Sequence, residues 1–237
     1  MDIRKNQIIR RRVLREDINN YLQQAIMNGN IKPGERIVET RIAKELGVSQ
    51  APIREALREL ELMGLIETVP FQGAFVKKLS KKDLWDTYQV RALLEGLAAK
   101  EAALKITKRE LDRLEELTKR MESASQRGRV KEFVELNIAF HRLILEASGN
   151  KLLYKLWNIV HLGQWTSITT QITQRSLPEL AERHELILEK LKAQDVLGAE
   201  QSAQHHIQEM MEDILENFEE IAPSNWIKTG AEREEGE

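Results

Sequence analysis

Apolar residues recur at three- and four-residue steps from Leu14 to Met27, with Ile18, Leu22, Ala25 and Ile26 on one face, which predicts a first helix. Asn28-Gly29-Asn30 ends it, and Lys32-Pro33-Gly34 forces a turn. A short helix from about Glu39 to Leu46 turns Ile42, Ala43 and Leu46 inward and closes at Gly47. Ser49, a good N-cap residue, opens another helix, with Pro52 in the first turn, where its missing N–H is not needed. That helix buries Ile53, Ala56, Leu57, Leu60 and Met63 and stops at Gly64. The period then shortens. Leu65 to Val69 and Ala74 to Leu79 read as two strands joined by Pro70-Phe71-Gln72-Gly73. Three helices and a two-stranded hairpin within about 65 residues are the layout of a winged helix-turn-helix, a motif whose second helix enters the major groove of DNA.

From Ser80 to Ile221 the pattern is helical almost throughout. Ser80 and Asp83 cap a run through Leu84, Tyr88, Val90, Leu93, Leu94, Leu97 and Ala98. Thr107 with Glu110 forms a capping box that opens the next run. A third helix is predicted from about Val130 to Ala147, broken by Ser148-Gly149-Asn150. A fourth spans Lys151 to roughly Thr170. Pro178 starts a fifth, running to Ala193, and Asp195 caps a sixth that ends near Pro223. The loops are short, as antiparallel bundle neighbours require. The expected fold class is therefore mainly α. A winged helix-turn-helix over residues 10–79 is followed by an antiparallel helical bundle over 80–222 and a frayed acidic tail over 223–237. No flexible linker separates the two parts near Ser80, so rotation of the bundle is expected to carry the DNA-binding part with it.

Composition sharpens this division. The chain has 237 residues, enough for one large domain or two small ones. Its net charge of −2 hides an asymmetry: residues 1–79 carry 14 Lys and Arg against 10 Asp and Glu, whereas the rest carries 22 against 28. A basic front part on an acidic rear part hints at nucleic-acid contact by the former. The chain has no cysteine, which excludes disulfides, thiolate metal sites and cysteine nucleophiles. No apolar run approaches the roughly 18 residues of a membrane span, and Met1 to Arg15 lacks the apolar core of a secretory signal, so a cytoplasmic location is expected.

On the helix opened by Ser49, the face away from the core offers Gln50, Ala51, Arg54, Glu55 and Arg58. Gln bonds adenine bidentately and Arg bonds guanine. Ser49 and the free N–H groups of the helix start suit a phosphate oxygen. Arg36 and Arg41 lie where the preceding helix crosses the backbone, Gly73 lets the wing approach a groove without a side chain, and Arg10-Arg11-Arg12 offers a basic arm. The alternative is a solvated helix face in which Glu55 and Glu59 merely balance Arg54 and Arg58.

All five histidines, His141, His161, His184, His205 and His206, fall in the acidic part. Asn137 and His141 share a helix face, and His184 and His206 sit on later helices, so packing could converge three imidazoles on a divalent metal such as Zn or Ni. The alternative is ordinary hydrogen-bonded histidine. His205 and His206 point about 100° apart, so at most one joins a common site, and His161 has no evident partner. Tyr154, Trp157 and Trp165 read as core packing rather than a ligand cage.

Three stretches resemble the GntR family of bacterial transcriptional regulators: Pro33-Gly34-Glu35-Arg36, Ala43 through Leu57, and Gly64-Leu65 with Gly73-Ala74-Phe75-Val76. Val48 to Leu57 is the most specific part. The family commonly has Arg at the position of Gln50, which implies a changed base preference. Val90 to Glu95, Phe140-His141, Gly149-Asn150, Arg183-His184-Glu185 and Asp195 through His206 resemble the all-helical FCD effector domain. That resemblance implies a metal held by position 137, His141, His184 and His206. It also implies Arg91 as anchor for a small carboxylate effector, although an ion pair with Glu95 on the same helix serves equally. Position 137 is Asn where the family has Asp, which implies weaker or altered metal binding.

The expectation is a homodimeric, ligand-responsive repressor that reads a palindromic DNA operator, not an enzyme. Two rivals stand beside it. A metal-dependent hydrolase would use the three histidines but lacks an HExxH arrangement, a phosphate loop or a nucleophile elbow. An architectural DNA binder would use the bundle for dimerisation alone.

Overall fold

A computed structural model describes residues 16–26, 30–78, 80–160, 170, 173 and 175–221, and the chain divides into two compact units with the boundary after Ser80. In the first unit, α1 (16–26) is followed by β1 (Arg36–Ile37), α2 (Glu39–Leu46), α3 (Gln50–Leu62), β2 (Ile66–Val69) and β3 (Gly73–Val76). Ile18 and Leu22 of α1, Ile42 of α2 and Ile53, Leu57 and Leu60 of α3 are all buried. Each such side chain stabilises the unit by about 1.5–3 kcal/mol. Asn19 Nδ2 donates to Glu59 Oε2 at 2.9 Å and ties α1 to α3.

The sheet has order β1-β3-β2, all antiparallel, with Arg36 opposite Phe75 and Val69 opposite Gly73. The expected hairpin is therefore three-stranded. β1 was beyond sequence reading because two residues carry no periodicity; its pairing with β3 is a non-local contact.

In the second unit, α4 (Lys81–Ala103), α5 (Lys108–Gln126), α6 (Val130–Ala147), α7 (Lys151–Val160), α8 (Leu177–Glu182), α9 (Glu185–Lys192) and α10 (Val196–Ile221) form the bundle. α4 packs along α10, and α5 along α6. Ala92, Ala98, Ala99, Ala102 and Ala103 keep the inner face of α4 small, and a Cβ at Gly96 would run into the Gln204 side chain. The α4–α10 spacing thus depends on that glycine.

The capping box at Thr107 and Glu110 is present, and Asp195 Oδ1 accepts from Gly198 N at 2.9 Å as a helix cap. Two expectations need correction. Ser49 sits at the α3 N-cap position with extended backbone, but its side chain makes no capping hydrogen bond. The run expected from Pro178 to Ala193 is two helices, capped by a Ser176–Glu179 box and interrupted at Arg183 and His184. The fourth helix is described to Val160; His161, Trp165, Arg10 to Arg12 and the tail lie outside the described residues. Among the described residues, no helix is long and apolar enough to cross a membrane.

Candidate functional sites: a nucleic-acid face and a histidine cluster

α3 turns Ile53, Ala56, Leu57 and Leu60 into the core. The helical period therefore leaves Gln50, Ala51, Arg54, Glu55 and Arg58 exposed together on the opposite side. Arg54 Nε stands 3.6 Å from Glu39 Oε2, and Arg41 Nη2 stands 3.5 Å from Glu35 Oε1, both in largely exposed pairs. Such pairs contribute about 0–1 kcal/mol, so a phosphate or base edge displaces them at small cost. Because the Ser49 side chain caps nothing, the first N–H groups of α3 keep their capacity to bind an anion. Across the sheet, the Arg36 guanidinium lies over Gly73, 3.4 Å from where a Cβ would stand; Gly73 has φ +103. All seven residues expected to touch DNA belong to this unit, and Arg36, Arg41, Ser49, Gln50, Arg54 and Arg58 are exposed.

In the second unit His141 of α6, His184 between α8 and α9, and His206 of α10 are all buried. One nitrogen from each lies within 4.8 Å of the others. The ring centroids are 5.4 Å (141–184), 5.1 Å (141–206) and 4.6 Å (184–206) apart. They line a cavity of about 30 Å³ with Tyr88, Arg91, Asn137 and Arg183. A polar cavity of that size has room for ordered water or a small ion.

The hydrogen bonds fix what each ring presents. His184 Nδ1 is 3.1 Å from both Leu180 O and Ala181 O, so it carries the proton and leaves a lone pair on Nε2. That Nε2 lies 2.7 Å from Asn137 Oδ1, another lone-pair bearer. Rotation of the amide to present N–H, or a cation shared by both atoms, resolves the pairing. His141 Nδ1 lies 2.7 Å from Glu95 Oε2, an arrangement that directs its other nitrogen toward the cluster. His206 Nδ1 is buried with no hydrogen-bond partner. Burial pushes the His184 imidazole down to about 3, helped by His141 and Arg183, and pushes His206 well below the usual histidine value. Neutral imidazoles with directed lone pairs are the state that binds a divalent ion. Three nitrogens that share one ion stand about 3.4 Å apart, so the triad would hold a metal after a contraction of up to about 1.4 Å.

Glu95 is the hub that sequence reading missed. Its Oε1 accepts from Arg91 Nε at 3.0 Å and Trp157 Nε1 at 3.1 Å, while Oε2 faces His141. The i,i+4 spacing revealed its pairing with Arg91; the links to Trp157 and His141 are tertiary. Burial opposes the Arg91 charge, but Glu95 and Tyr88 outweigh it and hold its ionisation above the ordinary range. Arg91 also lies over the Tyr88 ring at 4.8 Å. Trp157 is fully buried, as expected of core packing. Arg183, also unforeseen as a lining residue, donates to His206 O at 2.6 Å and Glu209 Oε2 at 3.0 Å, and its Nη1 is buried without a partner. Of the neighbouring pair, His206 joins the cluster, and His205 faces Glu209 at the surface.

A winged helix-turn-helix with an exposed recognition face, on the same chain as an all-helical bundle, defines a DNA-binding transcriptional regulator. Residues 14–76 match the family described as bacterial regulatory proteins, gntR family, and residues 86–209 match the FCD domain. The chain belongs to the GntR family and carries an FCD domain. It is 34% identical over 203 residues to the uncharacterized HTH-type transcriptional regulator YdhC of Bacillus subtilis, covering 85% of this chain and 91% of that one. It is 30% identical over 197 residues to a probable D-xylose utilization operon transcriptional repressor of Paenarthrobacter nicotinovorans, covering 83% and 87%. Among solved structures, Escherichia coli McbR/YncC superposes with a TM-score of 0.72 at 26% identity over 87% of this chain and 98% of that one. These relatives are regulators, not enzymes.

Proposed function

We propose that this protein is a ligand-responsive repressor. Residues 10–79 grip a palindromic operator, and residues 80–222 dimerise the chain and sense a small carboxylate beside a divalent metal. The observation that carries the reading is the convergence of three buried histidines beside the buried Arg91 guanidinium and the partly buried Arg183. Asn137, His141, His184 and His206 would hold the ion, which when bound supplies positive charge for an anionic ligand to coordinate. Arg91 is committed to Glu95, whereas Arg183 has a buried N–H still unsatisfied, so Arg183 joins Arg91 as an anchor for the carboxylate. Without a carboxylate at position 137 the cluster has no anionic ligand of its own, which favours an anion from solution.

Dimerisation is supported by α4. Val90, Leu93 and Leu97 follow at three- and four-residue steps yet stay exposed, a seam suited to a second copy. A carboxylate entering beside the histidines would press on the elements that line the cavity, α4, α6, α8 and α10. In a dimer their movement shifts the spacing of the two recognition helices and lowers operator affinity.

The test is selection of duplexes from a random pool, then titration of the selected duplex with tag-free protein containing zinc, nickel or no metal and a panel of small organic acids. The proposal expects about one ion per chain, its loss in His141→Ala, and an acid that releases DNA only from the loaded wild type. DNA affinity indifferent to metal and acids, with His184→Ala silent, would instead make the protein an architectural binder.

A further inference from the structure

The hairpin between β2 and β3 ends in an expensive residue. Gln72 N donates to Val69 O at 3.0 Å, which closes a four-residue turn with Pro70 at its second position and Phe71 at its third. Phe71 has φ +64. Proline second and a positive φ third are the pattern of a type II turn, whose third position is the natural place of glycine. Here it holds a bulky aromatic in the left-handed region, which L side chains adopt only under strain. Its relative exposure is 108%, so the ring is turned wholly into solvent. Neither strain nor exposed apolar area is repaid within the fold.

The surroundings say what repays it. Two residues on, Gly73 lets the Arg36 guanidinium lie against the backbone, so the tip carries one flat apolar wedge flanked by one cation. The same unit presents Gln50, Arg54 and Arg58 on α3 for the major groove. Apolar wedges between base pairs, accompanied by arginine, are how proteins enter and kink the minor groove.

We propose that the wing enters the minor groove tip first and that Phe71 wedges between two stacked base pairs, with Arg36 on the adjoining phosphate. The inference rests on the operator-binding reading above and adds a residue that sets specificity without a hydrogen bond to any base. Pyrimidine–purine steps unstack most readily, so a TA or CA/TG step is expected at the wing position of each half-site.

The experiment uses the full chain and duplexes that the wild type recovers from a random pool, with 2-aminopurine placed in turn at each wing-proximal step. Wild-type binding should brighten the probe at one step, the signature of unstacking. Phe71→Gly should abolish that rise and weaken binding to the selected duplex about 10- to 100-fold. Its thermal midpoint should stay equal to or above that of the wild type, because glycine suits the turn. Phe71→Leu, which keeps an apolar wedge, should retain part of both signals and covers the case in which the glycine variant folds poorly. Arg36→Ala should weaken selected and random duplexes alike and leave the fluorescence rise in place. Phe71→Gly binding within about twofold of wild type, with the rise unchanged, overturns the wedge while leaving operator binding intact. A wild type that selects no duplex overturns both.

Discussion

Acid should loosen the metal-free bundle through His184. Its ring is 2% exposed and faces His141, His206, Arg183 and Asn137, with Nδ1–H already given to two backbone carbonyls. Burial lowers its folded-state value to about 3 from 6.5. Between those limits the unfolded chain binds a proton that the folded chain refuses. The contribution is therefore complete above about pH 6.5 and is lost progressively as pH falls toward 3. From pH 7.5 to 5 the loss from His184 alone is about 2 kcal/mol, at ~1.4 kcal/mol per pH unit. His206, also depressed by burial, adds in the same direction. With a urea slope of about 3 kcal/mol/M, 2 kcal/mol moves the midpoint by about 0.7 M. The assay is urea unfolding followed by far-UV circular dichroism at both pH values, in EDTA, for wild type and His184→Gln. Carboxylates elsewhere titrate in both proteins, so the difference between the two pH slopes isolates this ring. Equal slopes would refute the reasoning, because a histidine that folds without resisting protonation is not buried as described.

Glu95→Ala should cost about 3–5 kcal/mol in the same unfolding assay, because it strands the Arg91 guanidinium in the core. Asn137→Asp should tighten zinc or nickel binding more than tenfold by calorimetry, since a unit charge beside a divalent ion exceeds ~1.4 kcal/mol even at water-like screening. The same carboxylate beside His184 should flatten the acid dependence described above. Arg54→Ala should cost about 1–3 kcal/mol on the selected duplex in anisotropy titrations if the side chain reads a base; equal losses on selected and random duplexes would assign it to phosphate.

The helices were legible wherever one face alone is apolar and the ends carry recognisable caps. Val130–Ala147 and Glu39–Leu46 stand where the spacing places them, and the Thr107–Glu110 box marks the start of α5 to the residue. The interruption at Arg183 and His184 carries no Gly or Pro signal. It exists because Arg183 turns to Glu209 and His184 turns its Nδ1 back onto the α8 carbonyls, both dictated by packing rather than by local preference. The histidine cluster was legible only as a possibility. Asn137 and His141 share a face by spacing alone, but nothing local brings a ring from residue 184 or 206 to them. Exposure of Phe71 was equally hidden, since a Pro-Phe-Gln-Gly turn by itself does not say which central residue takes the positive φ.

The two units handle charge in opposite ways, and the contrast bears on how they divide their work. On the DNA-facing unit, Arg54 with Glu39 and Arg41 with Glu35 are long, exposed pairs, so exchanging a carboxylate partner for phosphate costs little and the exchange should be sensitive to salt. In the bundle, Arg91 and Glu95 are 4% and 3% exposed and are joined to Trp157 and His141, so no member can leave without uncovering a buried charge. A network of that kind does not yield by degrees. Breaking any one of its bonds leaves a buried charge or N–H unsatisfied. Easily exchanged pairs in one unit and a tightly satisfied network in the other are the combination that the proposed release of DNA by a small acid requires.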